Sequence, residues 1–459
     1  MLRSLKLSGV GPAPELELPL AQRTHVITGD NGLGKSFVLE LIWWALTGSW
    51  AGLPAWPRPD ADEARIEIAL DEATAVEMGL WGQGVVGYYT DRKFEGGRLH
   101  RSSTFDRRRQ EWNPSSFSLT ESPLPALVMF ARVDGTLALW DPYRNHYKLR
   151  PKGRNGVLDT EIVTDPAFVQ RPPAFLLHPD EVLNGKELGG KTICNGMIAD
   201  WATWSLMRPD TPGGHAFEHF TRVLAALSPE PEKERMRPGA LRRIFVDDSR
   251  QFPTIDTGYG EVPIIHASAG VRRIVSLAYM LVWAWHEHLE ASRLLKLPPV
   301  KNIVFLMDEV ENHLHPEWQR RILPALLGVL QSLGEGMSVQ SHLTTHAPMV
   351  LASLETSFDP QQDKLFVFDL DAGHVTVREE TFSPRGDASR WLTSPAFRLA
   401  VPRSVEAERA INDANAMMRG EEPSHYKTRE AVDRALRDAL PGQDPFWPRW
   451  LAFRERPAA

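Results

Sequence analysis

A glycine-rich octet, GDNGLGKS at residues 29–36, has the residue types that hold a phosphate group, and it matches the pattern GxxxxGK(S/T) in full. Its glycines let backbone N–H groups point inward, Lys35 would neutralise the β- and γ-phosphate oxygens, and the Ser36 hydroxyl would bind Mg²⁺. The octet therefore predicts a site for ATP and Mg²⁺. The predicted nucleotide contacts are Gly29, Asp30, Asn31, Gly32, Leu33, Gly34, Lys35 and Ser36.

Acidic residues further along the chain supply the groups that ATP hydrolysis needs. Asp308 and Glu309 directly follow the apolar run IVFLM, which is typical of a central parallel strand. An aspartate there can hold Mg²⁺ beside Ser36, and the adjacent glutamate can polarise an attacking water as general base. His346 follows a later predicted strand in SHLTTHAP, where its ring could hydrogen-bond the γ-phosphate. This combination predicts hydrolysis as well as binding.

A further anion site is predicted at the start of a long apolar helix. In HASAGVRRI, Ser268 and Gly270 open this helix, and the free N–H groups and positive dipole end of a helix attract phosphate. The tripeptide SAG alone is a common helix start. Its position between the phosphate loop and the acidic strand makes both residues candidate ATP contacts.

Strands and helices alternate around these residues. The runs LKLSG, ELELPL and THVITG alternate with period two and predict strands, the third leading into the octet. FVLELIWWALTG predicts a helix that stops at Gly48, which completes the strand, loop and helix that a phosphate loop requires. A hairpin is predicted at Asp134 and Gly135, and WQRRILPALLGVLQSL predicts one helix. Other predicted strands are ARIEIALDE, GVVGYYTD, RRIFVDD, VPIIHA, MSVQSHLTTHAP, KLFVFDLD and HVTVREE.

We predict one large domain over residues 1–385 and a helical extension over 386–459. Residues 91–120 form a strongly basic insertion, either a solvated surface segment or a surface that contacts phosphate backbones through residues 101–109. Residues from about 176 to 230 form a helical insertion. In the C-terminal run DPFWPRW, the aromatic side chains of Phe446, Trp447 and Trp450 either dock a partner or pin the chain end to the core.

Composition limits the class of protein. The 459 residues include 52 Lys and Arg against 59 Asp and Glu, a net charge of −7, so a nucleic-acid contact would need a local basic patch. The single cysteine, Cys194, excludes an internal disulfide and a zinc site built on several thiolates. No apolar run approaches the roughly 18 residues that span a bilayer, and MLRSLKLSG lacks the apolar segment of a secretory signal. We therefore expect a cytoplasmic protein with no membrane part.

The order of these elements resembles an ABC-type ATPase head. Within that class the chain is most similar to the compact heads of the OLD and PtuA-like ATPases, relatives of the SMC proteins that occur in bacterial anti-phage systems. The resemblance implies an α/β fold, a P-loop head with a mixed central sheet, an N-terminal antiparallel β part and a helical insertion. The segments that carry it are GDNGLGKS, SAGVRRIVSLAY, FLMDEVENHLHPEWQRRILPAL and TTHAPMVLAS.

The resemblance also implies residue roles and a partner. Asp308 would bind Mg²⁺ through water, Glu309 would be the catalytic base, and His346 would be the switch histidine. Ser268 and Gly270 would contact the γ-phosphate of ATP held by the other subunit. This implies a head-to-tail homodimer with two ATP molecules at its interface, alone or within a higher oligomer of dimers.

Some features depart from the family pattern. The signature reads SAG where transporters have LSGGQ, and Gln170 is the nearest candidate for the glutamine that couples Mg²⁺ to the helical insertion. If that glutamine is missing, the coupling is in question. Residues 312–315 fall at the family's dimer loop, and its pair His313 and His315 lacks the spacing and further ligands of a metal site. The segment after residue 385 is too short for the nuclease domain that OLD-type proteins carry.

These observations favour a dimeric switch or sensor that uses ATP to regulate a separate effector, such as a nuclease, in a bacterial anti-phage defence system. ATP shifts such a switch only by its differential affinity for the closed and open heads. The alternative is an SMC-like DNA-binding ATPase in DNA repair or maintenance, supported by the basic residues 101–109 and opposed by the net charge of −7. A transporter subunit is disfavoured by the signature and by residues 312–315.

Overall fold

The computed structural model describes residues 1–71, 93–95, 98–112, 126–145, 174–229, 236–258, 260–399 and 402–455. These form two compact units, Met1–Ala388 and Ser389–Ala459. The predicted strand GVVGYYTD and the candidate Gln170 lie outside the described residues. No helix within the described ranges is both long and apolar enough to cross a membrane.

The first unit contains all the strands of the described chain. They are β1 (Leu2–Ser8), β2 (Glu15–Pro19), β3 (Thr24–Gly29), β4 (Arg65–Asp71), β5 (Lys93–Glu95), β6 (Arg98–Asp106), β7 (Glu111–Trp112), β8 (Ala126–Ala131), β9 (Leu137–Trp140), β10 (Phe175–Leu177), β11 (Lys186–Leu188), β12 (Lys191–Cys194), β13 (Arg237–Arg242), β14 (Phe252–Asp256), β15 (Glu261–Pro263), β16 (Asn302–Met307), β17 (Ser338–Thr344), β18 (Asp363–Asp371) and β19 (His374–Glu380).

Helices of the first unit cover the sheets and build the insertion, and the last of them crosses into the second unit. They are α1 (Lys35–Thr47), α2 (Pro179–Asn184), α3 (Met197–Leu206), α4 (Pro212–Ala226), α5 (Ala269–Leu295), α6 (Pro316–Gln319), α7 (Ile322–Ser332), α8 (Pro348–Ser353) and α9 (Ala388–Leu392). The second unit continues with α10 (Val405–Arg419), α11 (Arg429–Ala439) and α12 (Trp447–Arg454).

The central sheet is mixed and has eight strands in the order β10-β9-β8-β16-β17-β3-β18-β19. From β8 to β18 in this order the neighbouring strands run parallel, and the strands beyond them on both sides are antiparallel. In the parallel register Met307 lies opposite Leu343, and Thr344 lies opposite Ile27. The carboxyl ends of β3, β16 and β17 therefore meet at one edge of the sheet, which confirms the predicted mixed sheet.

A second, antiparallel sheet has the order β2-β1-β4-β6-β5, with β7 paired to β6, and confirms the predicted N-terminal β part. Within the described part of the basic segment 91–120, β6 pairs along the whole of β4, whereas residues 107–111 are exposed. That the whole segment is an insertion stays a prediction. The small side chain of Ser103 allows this pairing, because it is buried opposite Ile66. Trp112 is also buried, and its indole Nε1 donates to the Ala55 carbonyl at 2.9 Å.

Helix α1 is apolar on nearly all sides because it packs in the core between the two sheets. Trp43, Leu41 and Ile42 are fully buried, and one hydrophobic cluster joins them to side chains of β1, β4, β8 and β16. Each such side chain contributes roughly 1.5–3 kcal/mol by leaving water. The helix ends at Gly48, whose left-handed φ of 67° is a common helix stop. The loop before α1 is thus attached to one of the most rigid parts of the molecule.

Three predicted elements of the first unit are corrected by the structure. The predicted strand VPIIHA stops at Pro263 in β15, because Ile264–His266 form a 3-10 turn closed by the Ala267 N–H, which donates to the Ile264 carbonyl at 3.2 Å. The predicted strand RRIFVDD is wrong beyond its first residue. β13 ends at Arg242, and the Arg243 guanidinium folds back onto the carbonyls of Phe245, Val246 and Asp248. The single helix WQRRILPALLGVLQSL divides into α6 and α7. In an unbroken helix the ring of Pro324 would clash with the carbonyl four residues earlier, whereas the break places Pro324 in the first turn of α7.

The second unit has its own small core. Ala410, Val432 and Leu436 from α10 and α11 pack with Trp450 from α12, which is fully buried. Phe446 belongs to the same cluster with 7% of its surface exposed. The aromatic residues at the chain end therefore secure this unit internally, in agreement with the second of the two sequence interpretations.

Candidate ATP site

The glycine octet forms the turn between β3 and α1, and two of its glycines are required by close contacts. Gly29 has φ 131°, and a Cβ there would lie 2.1 Å from the Phe368 carbonyl oxygen. Gly34 has φ 94°, and a Cβ there would lie 2.7 Å from Cγ of Pro12. A side chain at either position would displace the loop from the edge of the sheet.

Lys35 is buried, with 5% of its surface exposed, and its Nζ donates to the carbonyls of Gly29 at 2.9 Å and Asp30 at 2.6 Å. Burial lowers the pKa of Lys35, and the carboxylates of Asp308 and Glu309 are the strongest influences that oppose this shift. The lysine and the predicted acidic pair therefore lie close together. Asp30, Asn31, Gly32 and Ser36 are exposed around the ammonium group, whereas Leu33 is buried.

Thr344 fixes the acidic pair at the carboxyl end of β16. Its Oγ1 donates to Oδ1 of Asp308 at 2.6 Å and accepts from the Glu309 N–H at 2.7 Å. Asp308 is 3% exposed, and its own N–H donates to the Ala131 carbonyl at 2.9 Å. Glu309 has a φ of 48°, an uncommon value for a residue with a side chain, so the neighbouring contacts must hold this turn.

His346 lies beside the same groups after β17. Burial lowers the pKa of its imidazole, Lys35 lowers it further, and Glu311 is the first of three carboxylates that oppose the shift. Glu311 accepts hydrogen bonds from the His346 N–H and from Thr345 Oγ1, the latter at 2.8 Å. Three separate chain segments thus bring Lys35, Glu309 and His346 to one edge of the sheet.

Arg273, on the first turns of α5, contacts this edge and was not among the residues predicted from sequence. Its Nη2 donates to the carbonyls of Asp308 at 3.2 Å and Glu309 at 3.1 Å. Burial lowers the pKa of the guanidinium, and Glu309, Glu311 and Asp308 oppose that shift. The sequence carries one weak signal for this residue, the pair of arginines that follows SAG.

Ser268 and Gly270 lie at the start of α5, next to the segment 312–315. The exposed Ser268 caps the helix, with its Oγ accepting from the Val271 N–H at 3.3 Å. Gly270 is buried, and a Cβ there would lie 2.6 Å from the His313 carbonyl oxygen. The signature segment and the predicted dimer loop are therefore in direct contact.

The donors at this edge fit Mg²⁺, which prefers hard oxygen ligands. Among the described contacts Thr344 binds only Oδ1 of Asp308, so Oδ2 remains available, and Ser36 presents its hydroxyl on the exposed side of the loop. His315 serves as the cap of α6, where its Nδ1 accepts from the Glu317 N–H at 3.5 Å. Across the described ranges, no three His, Cys, Asp or Glu side chains are placed together to hold a metal ion.

The described part of the basic segment makes local contacts. Arg101 lies opposite Ile68 on the inward side of β6, and Arg107 donates to the Ala61 carbonyl. Arg109 lies 3.9 Å from Asp106 and 3.8 Å from Glu111. These contacts partly neutralise the charge on which a DNA-binding hypothesis depends.

Residues 214–352 match the profile of a family described as an AAA domain, putative AbiEii toxin, Type IV TA system. The Septu protein PtuA of Bacillus thuringiensis is 20% identical over 362 residues, which cover 76% of this chain and 72% of that protein. The matched profile includes the signature segment, the acidic pair and His346 but begins after the phosphate loop.

Solved structures that match this chain include heads of SMC proteins. A crystal structure of the SmcHead bound to the C-winged helix domain of ScpA has 14% identity and a TM-score of 0.41, covering 83% of this chain and 98% of that one. The SMC head domain from Thermotoga maritima has 14% identity and a TM-score of 0.36, covering 83% and 99%.

The mixed sheet carries the phosphate loop and the acidic pair at one edge, in agreement with the predicted fold of a P-loop ATPase head. The profile match and the likeness to PtuA support the resemblance to SMC-related heads of the PtuA-like group that the motifs predicted.

Proposed function

We propose that the protein hydrolyses ATP at the edge formed by β3, β16 and β17. Lys35 and the loop N–H groups bind the phosphates, Ser36 and Asp308 hold Mg²⁺, and Glu309 accepts the proton of the attacking water. Bound Mg²⁺ would neutralise charge on the phosphate oxygens. The observation that carries this proposal is the Thr344 hydroxyl, which holds Asp308 and Glu309 together beside Lys35.

His346 is assigned the role of γ-phosphate sensor in this mechanism. Its ring lies beside Lys35, and its backbone is fixed through Glu311. Burial and the lysine lower the pKa of the imidazole, so it stays neutral at physiological pH and keeps one ring N–H for a phosphate oxygen. The ring then reports whether the γ-phosphate is present.

Head-to-tail dimerisation around two ATP molecules is the second part of the proposal. The described hydrogen bond of the exposed Ser268 hydroxyl is to the Val271 N–H of its own helix, not to the phosphate loop of its own chain. Gly270 lies directly against the dimer loop. The contact between these two segments, with Ser268 exposed beside it, supports a composite site. The higher oligomer predicted from sequence would be built from such dimers.

The decisive experiment is the mass of Glu309→Gln in solution with and without ATP and Mg²⁺. Without its base the variant should bind ATP, hydrolyse it roughly 10²–10⁴-fold more slowly and accumulate as dimers. Glu335→Gln, at the opposite end of β17, is the matched control and should behave as wild type. Wild-type turnover in Glu309→Gln would refute the assignment of the base, and a constant monomer mass would refute the sandwich.

Composite sites can be tested by mixing inactive subunits. Lys35→Ala cannot hold phosphate in its own loop, and Ser268→Arg cannot contact the nucleotide of its neighbour. If the sites are shared, each heterodimer in the mixture contains one working site, and ATPase activity returns. No recovery on mixing would contradict the composite arrangement.

The biological role we propose is regulation of a separate effector, such as a nuclease, in anti-phage defence. The likeness to the Septu protein PtuA supports this role. A difference of about 1–3 kcal/mol between the ATP affinities of open and closed heads is enough to expose or mask one effector surface. In cells that carry the native locus, Lys35→Ala should abolish protection in a plaque assay, and full protection would contradict a role for ATP.

A further inference from the structure

A polar cleft of about 720 Å³ opens in the helical insertion, away from the ATP site. Its walls come from the hairpin β11–β12, the end of α2 and one side of α3. This volume falls in the range of small-molecule sites, roughly 300–1,000 Å³. No role assigned so far uses the cleft, so its chemistry must be considered separately.

At the base of the cleft two chain segments cross, and each has a glycine at the crossing point. A Cβ at Gly185 would lie 2.6 Å from the Asn195 carbonyl oxygen, and a Cβ at Gly196 would lie 2.3 Å from the Gly185 nitrogen. Both glycines have positive φ, 98° and 88°, which residues with side chains rarely adopt. The crossing holds Asn195 next to Asp200, at the floor of the cleft.

The floor carries a buried carboxyl group whose described hydrogen bonds come only from neutral donors. Asp200 is 4% exposed and accepts from the Tyr279 hydroxyl at 2.7 Å and from Asn195 Nδ2 at 2.8 Å. Burial raises the pKa of this carboxyl. A buried carboxylate normally has a cationic partner, because desolvation of the charge is otherwise costly.

Among the residues that the structure describes, the neighbouring cations do not supply that partner. Lys186, at the rim, lies 2.9 Å from Glu181, and Arg144 lies 3.3 Å from Glu287. Burial raises the pKa of Glu287, Arg144 opposes the shift, and the charge of Asp200 adds to it. The surroundings of Asp200 thus contain more negative than positive charge.

Trp204 and Glu187 also line the cleft. Trp204 is half-buried, its ring 5.8 Å from that of Tyr279, and Glu187 is exposed at the rim. Indole is the best aromatic surface for a cation, and a second carboxylate at the rim favours the same charge. A neutral or anionic ligand would leave Asp200 without a counter-ion.

We propose that this cleft binds a small organic cation, an ammonium or guanidinium group, with its charge on Asp200 and its carbon chain beside Trp204. The group comes either from a free small molecule or from the side chain of a peptide. Tyr279 belongs to α5, which also carries Arg273 at the ATP site. An influence of the cation on ATP turnover rests on the proposed function, whereas binding itself does not.

Binding is measured by titration calorimetry of the full chain without ATP. The probes are methylguanidinium, ethylammonium and the blocked tripeptide acetyl-Gly-Arg-Gly-amide, with acetamide as a neutral control. We expect saturable binding of the cations only, at least tenfold weaker in Asp200→Asn and in Trp204→Leu. Glu218→Gln, an exposed change on α4 outside the cleft, should leave Kd unchanged.

The outcomes separate the possibilities. Tighter binding of the tripeptide than of methylguanidinium supports a peptide as the source, and the reverse order supports a free small molecule. If Asp200→Asn does not fold, the variants Trp204→Leu and Glu187→Gln test the proposal instead. Wild-type affinity for the cations in both of these variants would overturn it. Absence of saturable binding to every cation, or equal binding of acetamide, also overturns it.

Discussion

Removing the guanidinium of Arg273 should slow ATP hydrolysis without weakening ATP binding. The side chain donates from α5 to the carbonyls of Asp308 and Glu309, and Glu309 adopts the uncommon φ of 48°. In Arg273→Ala both carbonyls lose this charged donor. The carboxylate of Glu309 would then sample orientations in which it does not face the attacking water.

The size of the effect follows from the hydrogen bonds that are lost. One nitrogen serves both carbonyls at 3.2 and 3.1 Å, so we count them as a single charged interaction. Such an interaction contributes about 1.5–3 kcal/mol. If it acts only on the geometry of the reacting state, kcat falls roughly 10- to 150-fold, since each 1.36 kcal/mol is a factor of ten. KM for ATP should change little, because Lys35 and its loop contacts are untouched.

Steady-state ATPase kinetics with a thermal unfolding curve test this reasoning. Arg293→Ala, near the other end of the same helix, removes an exposed arginine paired with Glu290 and is the matched control. Arg273→Lys should recover part of kcat, because an ammonium group reaches a carbonyl but lacks the planar fork. A wild-type kcat in Arg273→Ala, or a loss confined to KM, would refute a positioning role.

Three further predictions concern the hydroxyl between the strands, a buried histidine pair and DNA. Thr344→Val leaves the buried Asp308 and the Glu309 N–H without their shared hydrogen-bond partner, so the unfolding free energy should fall by about 1–3 kcal/mol. An unchanged denaturant midpoint would contradict this prediction. Burial lowers the pKa of His25 to about 4 and that of His342 well below its usual value. In the unfolded chain both rings take up a proton below pH about 6.5, so the free energy of unfolding decreases as the pH falls from there towards 4. His342→Phe should therefore lose less stability than wild type between pH 7.5 and 5, by about 2 kcal/mol, in urea titrations, and equal losses would contradict this. Duplex DNA binding should be weak and lack a steep salt dependence, and a steep slope would favour the SMC-like alternative.

Local sequence was enough to predict the groups at the sheet edge, because their chemistry restricts residue type. A phosphate loop needs glycines at fixed spacing, and an acidic pair after an apolar strand has few structural reasons to exist. The contacts of Thr344 and Arg273 were beyond prediction, since they depend on non-local packing. Thr344 meets Glu309 only because β17 lies parallel beside β16, and Arg273 reaches it from a different helix.

Elements whose sequence carries competing signals were predicted less well. The run RLHRSSTFD in β6 reads as a polar surface segment because most of its side chains are charged or polar. Pairing with β4 along its length nevertheless places Ser103 in the core. The apolar period of α6 and α7 reads as one helix, although the backbone must break before Pro324. In both cases tertiary contacts outweigh the average character of the segment.

Helix α5 links the signature serine, the acidic turn and the insertion cleft in one rigid element. Ser268 caps it, Arg273 holds the turn at Glu309, and Tyr279 donates to Asp200, the last about 16 Å from the cap at 1.5 Å per residue. A rotation of this helix must change all three contacts together. Linkage is reciprocal, so a cation that binds tenfold tighter when ATP is bound must also tighten ATP binding tenfold. Equal cation affinities with and without ATP would show that α5 carries no signal between the cleft and the ATP site.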